Sequence, residues 1–222
     1  MTHYIGVDIA GASNTWFTSL TPTDDGLSIA VSPHIAALTE IITFVDDHDV
    51  VAACIDAQLT IAPSDNTGFR SADTELRSLL PNEFQNWVAS INSLMAVPVR
   101  GRLLADSITA SVATIIETHP RASLYFGTPE ELQNSIANYK GGPNAAECTR
   151  RLWDDWSARY RIDGELVTIT DGSLDSIICA TVAYLCHTSP AQLYRLRHNA
   201  PARVGHGPFY VLSPAARPKQ GM

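Results

Sequence analysis

The sequence predicts an α/β fold built on a mixed five-stranded sheet, in which three antiparallel strands are followed by parallel strands, with flanking helices and a helical insertion. Short apolar runs bounded by turn residues indicate the strands. The first three runs are joined by short connections, which is typical of an antiparallel meander. The later runs are separated by helical segments, which is typical of parallel strands joined by crossover connections. With 222 residues, 45% of them hydrophobic, the chain suits one sizeable core, so we expect a single domain over residues 1–222.

The first half of the chain carries four of these strands and one helix. Residues 4–9 and 15–20 predict the first two strands, and the turn signal Thr21-Pro22-Thr23-Asp24-Asp25-Gly26 leads to a third at 27–31. Ser32-Pro33 predicts a helix start, since Ser is a good N-cap and Pro suits the first helical position. Apolar residues then recur at helical spacing up to Val45. Residues 50–55 form the next apolar run and predict a buried parallel strand.

The second half begins with an irregular stretch, residues 57–110, which we interpret as a helical insertion that caps one end of the sheet. Helices are expected there at 71–80 and 83–94. A β-branched run at 111–116 predicts the fifth strand of the sheet. The elements expected after it are helices near 129–138 and 143–159, a short strand or connection at 166–169, a strong helix opening at Asp171-Gly172-Ser173-Leu174-Asp175, and an edge strand at 209–212.

Charge and composition narrow the functional classes. The net charge is −8, and an acidic chain is a poor non-specific binder of nucleic acid. The charge is uneven, because residues 1–139 carry −11 and residues 140–222 carry +3, so contacts to a polyanion are expected from the C-terminal third. No apolar run has the length of a membrane span, and the N-terminus lacks the pattern of a signal peptide. The four cysteines are scattered without a CxxC pair, so we expect a cytoplasmic protein with reduced thiols and no membrane partner.

Four carboxylates occupy comparable places in the predicted fold. Asp8 lies in the first strand, Asp56 and Glu117 end two buried strands, and Asp175 lies in the first turns of an apolar helix. Adjacent strands are about 4.8 Å apart, so acids at the same ends converge. Two like charges about 5 Å apart repel by roughly 3 kcal/mol at an effective dielectric constant near 20. Such a site requires a cation or raised pKa values, and oxygen ligands suit Mg²⁺ or Mn²⁺.

Each of these residues also has a structural interpretation. Asp8 can accept hydrogen bonds from the N–H groups of the turn at residues 11–14, and Asp56 and Glu117 can stabilise the turns that follow them. Asp171 and Asp175 both suit the electrostatics of a helix N-terminus. His119, two residues after Glu117, lies on the same strand face and can act as a general base or a ligand, or it can bond the backbone at the end of the strand. The other histidines form no zinc pattern with acids, and no GxSxG motif is present.

The order of these motifs resembles the RNase H-like fold and, more closely, the family of predicted RNase H-like nucleases catalogued as domain of unknown function 429. The matching pieces, spread over residues 4–187, are Gly6-Val7-Asp8 with Trp16, Ile55-Asp56-Ala57, Arg70-Ser71-Ala72-Asp73 with Arg77, Glu117-Thr118-His119-Pro120, and Leu174-Asp175-Ser176-Ile177 with Ala180. The chain departs from the family where Asp56-Ala57-Gln58-Leu59 replaces a Pro-containing turn and where Ala72 replaces a cysteine.

The resemblance implies metal ligands at Asp8, Asp56 and Asp175, with Glu117 as a fourth and Asp171 as a substitute. It also places Arg70 and Asp73 beside the site. An arginine there can bind a scissile phosphate through two N–H groups, or Arg70 and Asp73 can pair to cap a helix. Lys140, in a Tyr-Lys-Gly-Gly loop, can contact phosphate or be an ordinary loop lysine.

Three functions follow from the sequence. The first is a metal-dependent phosphodiesterase that acts on nucleic acid or a nucleotide-like phosphoester with Mg²⁺ or Mn²⁺. The second is an ATP-binding module of the actin/sugar-kinase type, for which residues 6–13 weakly resemble a phosphate loop. That class needs a second domain, for which the chain leaves no room unless a dimer supplies it. The third is a non-catalytic scaffold that retains the acids for structure or partner binding.

Overall fold

The computed structural model describes residues 1–11, 13–94, 96–197 and 202–216. It confirms an α/β fold in which helices flank a mixed sheet. The strands are β1 (Thr2–Asp8), β2 (Trp16–Pro22), β3 (Leu27–Ile35), β4 (Asp49–Asp56), β5 (Thr60–Ile61), β6 (Thr114–Thr118), β7 (Ile162–Asp163), β8 (Leu193–Arg195), β9 (Val204–Gly205) and β10 (Phe209–Leu212). The helices are α1 (Leu38–Asp47), α2 (Ser71–Leu79), α3 (Ala96–Ile108), α4 (Pro120–Gly127), α5 (Gln133–Asn138), α6 (Ala145–Tyr160) and α7 (Asp171–Thr188).

The main sheet has eight strands in the order β7-β3-β2-β1-β4-β6-β10-β8, and β5 and β9 pair separately. The first three strands are antiparallel to one another, and β1, β4 and β6 are parallel, as the sequence predicts. The sheet is larger than predicted because β7 joins one edge and β8 extends the other edge beyond β10. Residues 209–212 form the predicted strand, but it lies between β6 and β8 instead of at the edge.

The two faces of the sheet bury two separate cores, because side chains alternate along each strand. Tyr4 and Cys54 belong to the core under α7 and the helices around it. Ile5 and Ile55, one position further along the same strands, belong to the core under α1 and α3. Which face a side chain occupies is therefore decided by single-residue register.

Helix α7 lies directly on β1 at Gly6. A Cβ atom at Gly6 would come within 1.9 Å of the Ser176 carbonyl oxygen and 2.3 Å of the Ala180 nitrogen. No other residue type tolerates backbone contact this close, so glycine is required here. The same approach brings the first turns of α7 to the carboxyl end of β1.

Several local predictions were wrong. Ser32-Pro33 does not start a helix; β3 runs on to Ile35 because residues 34 and 35 pair with β2, and α1 begins at Leu38. Proline is accepted in β3 because the strand pairs with β7 only at Leu27 and Ser28, which leaves its outer edge free further along. Of the two predictions for residues 166–169, the connection between helices is confirmed and the short strand is wrong.

The insertion differs from its predicted form. Residues 71–79 form α2 as expected, whereas the predicted helix at 83–94 is a 3-10 helix over Asn82–Trp87 followed by turns. Helices α3 and α4 were not predicted. In α3, Pro98 and Gly101 are poor helix formers and obscure the helical pattern of the sequence, although both are buried.

The described part of the chain contains no helix long and apolar enough to span a bilayer, and its four cysteines are free.

Candidate metal site and adjoining cleft

Three aspartates converge at the carboxyl ends of the central strands. One carboxylate oxygen from each of Asp8, Asp56 and Asp175 lies within 4.8 Å of the other two. The first two side chains are partly buried and that of Asp175 is fully buried. We call these three residues the aspartate cluster.

Strand register brings the first two acids together. Asp8 and Asp56 are direct partners at the ends of the parallel strands β1 and β4. Partners in adjacent parallel strands point to the same face, here the face covered by α7. The carboxyl end of such strands is where open α/β sheets bind ligands.

Asp175 reaches the same point from above the sheet. Thr170 caps α7, because its hydroxyl accepts a hydrogen bond from the Ser173 backbone nitrogen at 3.2 Å. Asp175 lies one turn into the helix, adjacent to Ser176, whose carbonyl contacts Gly6. The close packing of α7 on β1 thus sets the distance between Asp175 and Asp8.

The cluster is only partly compensated by its neighbours. The Lys140 ammonium forms an ion pair with Asp175 Oδ2, and the Tyr139 hydroxyl donates to Asp175 Oδ1 at 2.9 Å. Asp8 and Asp56 accept no side-chain hydrogen bond from the described residues. Among the described residues, only Lys140 forms an ion pair with the three carboxylates.

The pKa values reflect this imbalance. Burial and the charge of Asp175 raise the pKa of Asp8 to about 7, against the opposing effect of Lys140. Burial and the charge of Asp8 raise the pKa of Asp56 well above its usual value. Burial also raises the pKa of Asp175, although Lys140 and Tyr139 act in the other direction. The site disfavours three negative charges and favours an added cation.

Glu117 does not join the aspartate cluster, contrary to expectation. It pairs in register with Ile55, one residue before Asp56, so its side chain points to the other face of the sheet. There its carboxylate accepts from the Leu59 backbone nitrogen at 2.9 Å and pairs with Arg70. A one-residue offset between neighbouring strands separates the fourth predicted acid from the other three.

Arg70 is fully occupied by carboxylates and a hydroxyl. Its Nε and Nη2 donate to Asp73 at 2.9 and 2.6 Å, and its Nη1 and Nη2 donate to Glu117 at 2.8 and 2.5 Å. A further contact joins Nη1 to Thr60 Oγ1 at 3.3 Å. Since a guanidinium has five N–H donors, none remains for a phosphate. Arg70 and Asp73 thus have the structural pairing that the sequence allowed, and Asp73 also accepts from the Arg70 backbone nitrogen.

His119 also has both ring nitrogens engaged. Nδ1 accepts from the Ala122 backbone nitrogen at 3.2 Å, which caps α4, and Nε2 donates to the Trp87 carbonyl at 3.1 Å. Burial lowers the pKa of His119 to about 4. The imidazole is therefore neutral at pH 7 and holds the 3-10 segment of the insertion against the sheet.

Asp171, which the sequence predicted as a substitute ligand, lies outside the aspartate cluster, although its charge raises the pKa of Asp8 and Asp175.

A cleft of about 210 Å³ opens beside the cluster. Asp56 and Lys140 lie where the cleft meets the aspartates, and the insertion supplies the opposite wall. Its lining also includes Gln58, Trp87, Val88, Arg121 and Phe209. Side-chain hydrogen bonds to three consecutive backbone carbonyls hold this wall in place. The carbonyl of Trp87 accepts from His119, that of Val88 accepts from Arg77 at 3.1 Å, and that of Ala89 accepts from Gln58 at 3.1 Å.

Arg121 and Gln58 were missed in the sequence. Arg121 follows the Glu-Thr-His-Pro motif, and Gln58 lies two residues after Asp56. The sequence signal for these two residues was that both lie close to the predicted motifs. Neither residue was predicted to be functional, because arginine and glutamine are common on surfaces and only the fold brings them together in a cleft.

Comparison of the chain with protein-family models, with curated proteins and with solved structures finds no match. The chemistry of the site therefore rests on its own geometry. An all-oxygen donor set with two carboxylates free of hydrogen bonds from described residues fits a hard divalent cation such as Mg²⁺ or Mn²⁺.

Proposed function

We propose that this protein is a metal-dependent phosphodiesterase of the RNase H-like type, in which Asp8, Asp56 and Asp175 hold Mg²⁺ or Mn²⁺. The proposed substrate is a phosphodiester in nucleic acid or a nucleotide-like phosphoester. The observation that carries the proposal is the convergence of three buried or partly buried carboxylates within 4.8 Å, with one lysine to offset them. Such a group of like charges is stabilised most simply by a divalent cation.

The arrangement of elements supports the RNase H-like assignment. Three antiparallel strands precede two parallel ones in the spatial order β3-β2-β1-β4-β6, which agrees with the order expected for that fold. The acids lie on the first strand, on the strand after the crossover and on a late helix, which are the positions that the resemblance implies. The additional strands join the two edges of this central set, and β10 contributes Phe209 to the lining of the cleft.

The aspartates and Lys140 have different chemical roles in the proposed reaction. A metal ion held by the aspartates would activate a water and neutralise charge on the phosphoryl group. Lys140 is partly exposed at the mouth of the cleft, and its ammonium is available to a phosphate oxygen beside the ion. Burial opposes the charged form of Lys140, but the carboxylates, Asp175 first, raise its pKa well above the usual value. The lysine therefore acts as a fixed positive charge and not as a base.

Metal binding and hydrolysis test the proposal together. Mg²⁺ or Mn²⁺ at millimolar concentration is expected to raise the melting temperature, because a ligand of the folded state stabilises it. Hydrolysis of bis(p-nitrophenyl) phosphate and of a fluorescent oligonucleotide is expected with the metal and absent in EDTA. Asp8→Asn and Asp175→Asn are expected to lose both responses while remaining folded.

Two control variants make the result specific. Asp154→Asn changes an exposed acid on α6, and Asp24→Asn changes an exposed acid in the connection between β2 and β3. Both are expected to keep the metal response. A melting temperature unaffected by either cation would refute the metal site, and an unchanged response in Asp8→Asn would refute its assignment to these aspartates.

A further inference from the structure

Gln58 has an unsatisfied acceptor in the wall of the cleft. The residue is only 6% exposed, and its Nε2 donates to the Ala89 carbonyl at 3.1 Å. This bond fixes the orientation of the amide. Its Oε1 is buried without a hydrogen-bond partner among the described residues. Buried acceptors are almost always satisfied, so this oxygen requires a partner beyond the described residues, which is a water or a ligand.

Arg121 presents donors to the same cleft. Its Nε and Nη2 donate to the carbonyls of Ile136 and Ala137 at 3.1 and 2.7 Å. Its guanidinium carbon lies 4.0 Å from the centre of the Trp87 ring. The side chain is therefore held in one orientation, while Nη1 has no hydrogen-bond partner in the described part of the chain. In contrast to Arg70, Arg121 keeps N–H groups for a ligand, and a guanidinium binds phosphate oxygens well.

The ring of Trp87 has no face left for stacking. Trp87 carries Arg121 on its ring, and Phe84 stacks on it with ring centres 4.3 Å apart and an interplanar angle of 18°. A nucleobase cannot stack on Trp87 without displacing one of them. Recognition in the cleft must therefore depend on hydrogen bonds and shape, and Val88 and Phe209 supply the apolar surface.

We propose that this cleft is a binding subsite for a single phosphoester unit, in which Arg121 binds the phosphate and Gln58 Oε1 accepts a hydrogen bond from a hydroxyl or amino group of the esterified molecule. The subsite rests on the proposed function for the identity of its ligand as a phosphoester. A cleft of about 210 Å³ holds one unit of a chain and not a duplex. The acidic net charge of −8 likewise disfavours a long polyanion.

Binding of small probes, measured by calorimetry in EDTA and again with Mg²⁺, tests the subsite. The probes are inorganic phosphate, ribose 5-phosphate and the nucleoside 5′-monophosphates, so that a sugar hydroxyl is distinguished from a base amino group. Arg121→Gln is expected to weaken binding of all probes about tenfold or more. Gln58→Met is expected to weaken only the probes that carry the recognised donor, by about fivefold, and to leave inorganic phosphate unchanged. Arg150→Gln, an exposed arginine on α6, is the matched control.

The outcomes separate the subsite from the catalytic proposal. If the unmodified protein binds none of the probes, or if Arg121→Gln binds them as tightly as the unmodified protein does, the subsite is refuted even where Mg²⁺ still raises the melting temperature. Equal losses for inorganic phosphate and nucleotides in Gln58→Met would show a purely structural role for Gln58. If Arg121→Gln loses probe binding but the protein shows neither metal stabilisation nor hydrolysis, the subsite stands and the phosphodiesterase proposal fails.

Discussion

Two groups of carboxylates lie at the same end of the sheet, and they differ in how they are neutralised. Their side chains leave opposite faces of the sheet, but Asp56 and Glu117 line the same cleft. On one face Arg70 joins Asp73 and Glu117, and every donor of the guanidinium is used. On the other face, within the part of the chain that the structure describes, the three aspartates share one lysine, which pairs with Asp175. Burial raises the pKa of Glu117 and Arg70 acts in the other direction, whereas Asp8 has a pKa raised to about 7.

A structural ion cluster differs from a candidate ligand site in whether its hydrogen-bonding groups already have partners, and not in the number of acids. A closed network leaves no group that a ligand can use, and breaking it leaves a buried charge unpaired. An open cluster loses stability to its own repulsion, which a ligand relieves.

Removal of Arg70 is expected to have the largest effect. Arg70→Met leaves Asp73 and Glu117 buried without a cation, so the free energy of unfolding should fall by about 3–5 kcal/mol. Urea denaturation measures the change. Arg159→Met, which removes the partly exposed partner of Asp155, should cost at most about 1 kcal/mol. Similar losses in the two variants would contradict the closed-network interpretation.

Asp8→Asn is expected to act in the opposite direction in EDTA. Like charges about 5 Å apart repel by roughly 3 kcal/mol at an effective dielectric constant near 20, and Lys140 offsets part of this. The variant should therefore be more stable than the unmodified protein by about 2 kcal/mol at pH 8, and Mg²⁺ should no longer stabilise it. A loss of stability in EDTA would show that Asp8 is structural.

The buried imidazole of His119 is expected to make the free energy of unfolding depend on pH. Its pKa is about 4 in the folded protein and near 6.5 when unfolded, so between these values the unfolded state binds more protons and stability falls as the pH falls. From pH 7 to pH 5 the loss from this residue should be about 2 kcal/mol. His119→Asn, which keeps a side chain able to cap α4, should lose that much less over the same range in urea denaturation. An identical pH profile for the two proteins would exclude the neutral buried imidazole.

The smallest effect is expected from the cap of α7. Thr170→Val removes the hydroxyl that accepts from Ser173 and should cost about 1 kcal/mol. Because Gly6 still fixes where α7 lies on β1, the rise in melting temperature with Mg²⁺ should keep its size. Loss of the metal response in this variant would mean that the cap, and not the helix packing, positions Asp175.

Strand patterns made much of this fold predictable. The apolar runs around Asp8 and Asp56 and the helix at Asp171 follow from local periodicity, and parallel pairing then brings Asp8 beside Asp56. The end of β3 was not predictable, since Ser32-Pro33 is a good helix start and only pairing with β2 overrides it. The helix α3 was missed because Pro98 and Gly101 weaken its pattern, while burial stabilises it.

The sequence by itself determined the α/β class, the order of its central strands and the set of acids at their ends, because these depend on hydrophobic periodicity and chain order. The tertiary structure decided which acids meet. A one-residue offset between β4 and β6 sent Glu117 to the opposite face and to Arg70, and the contact of α7 with Gly6 brought Asp175 to Asp8. Register and close packing join residues far apart in the chain, so no local pattern contains them.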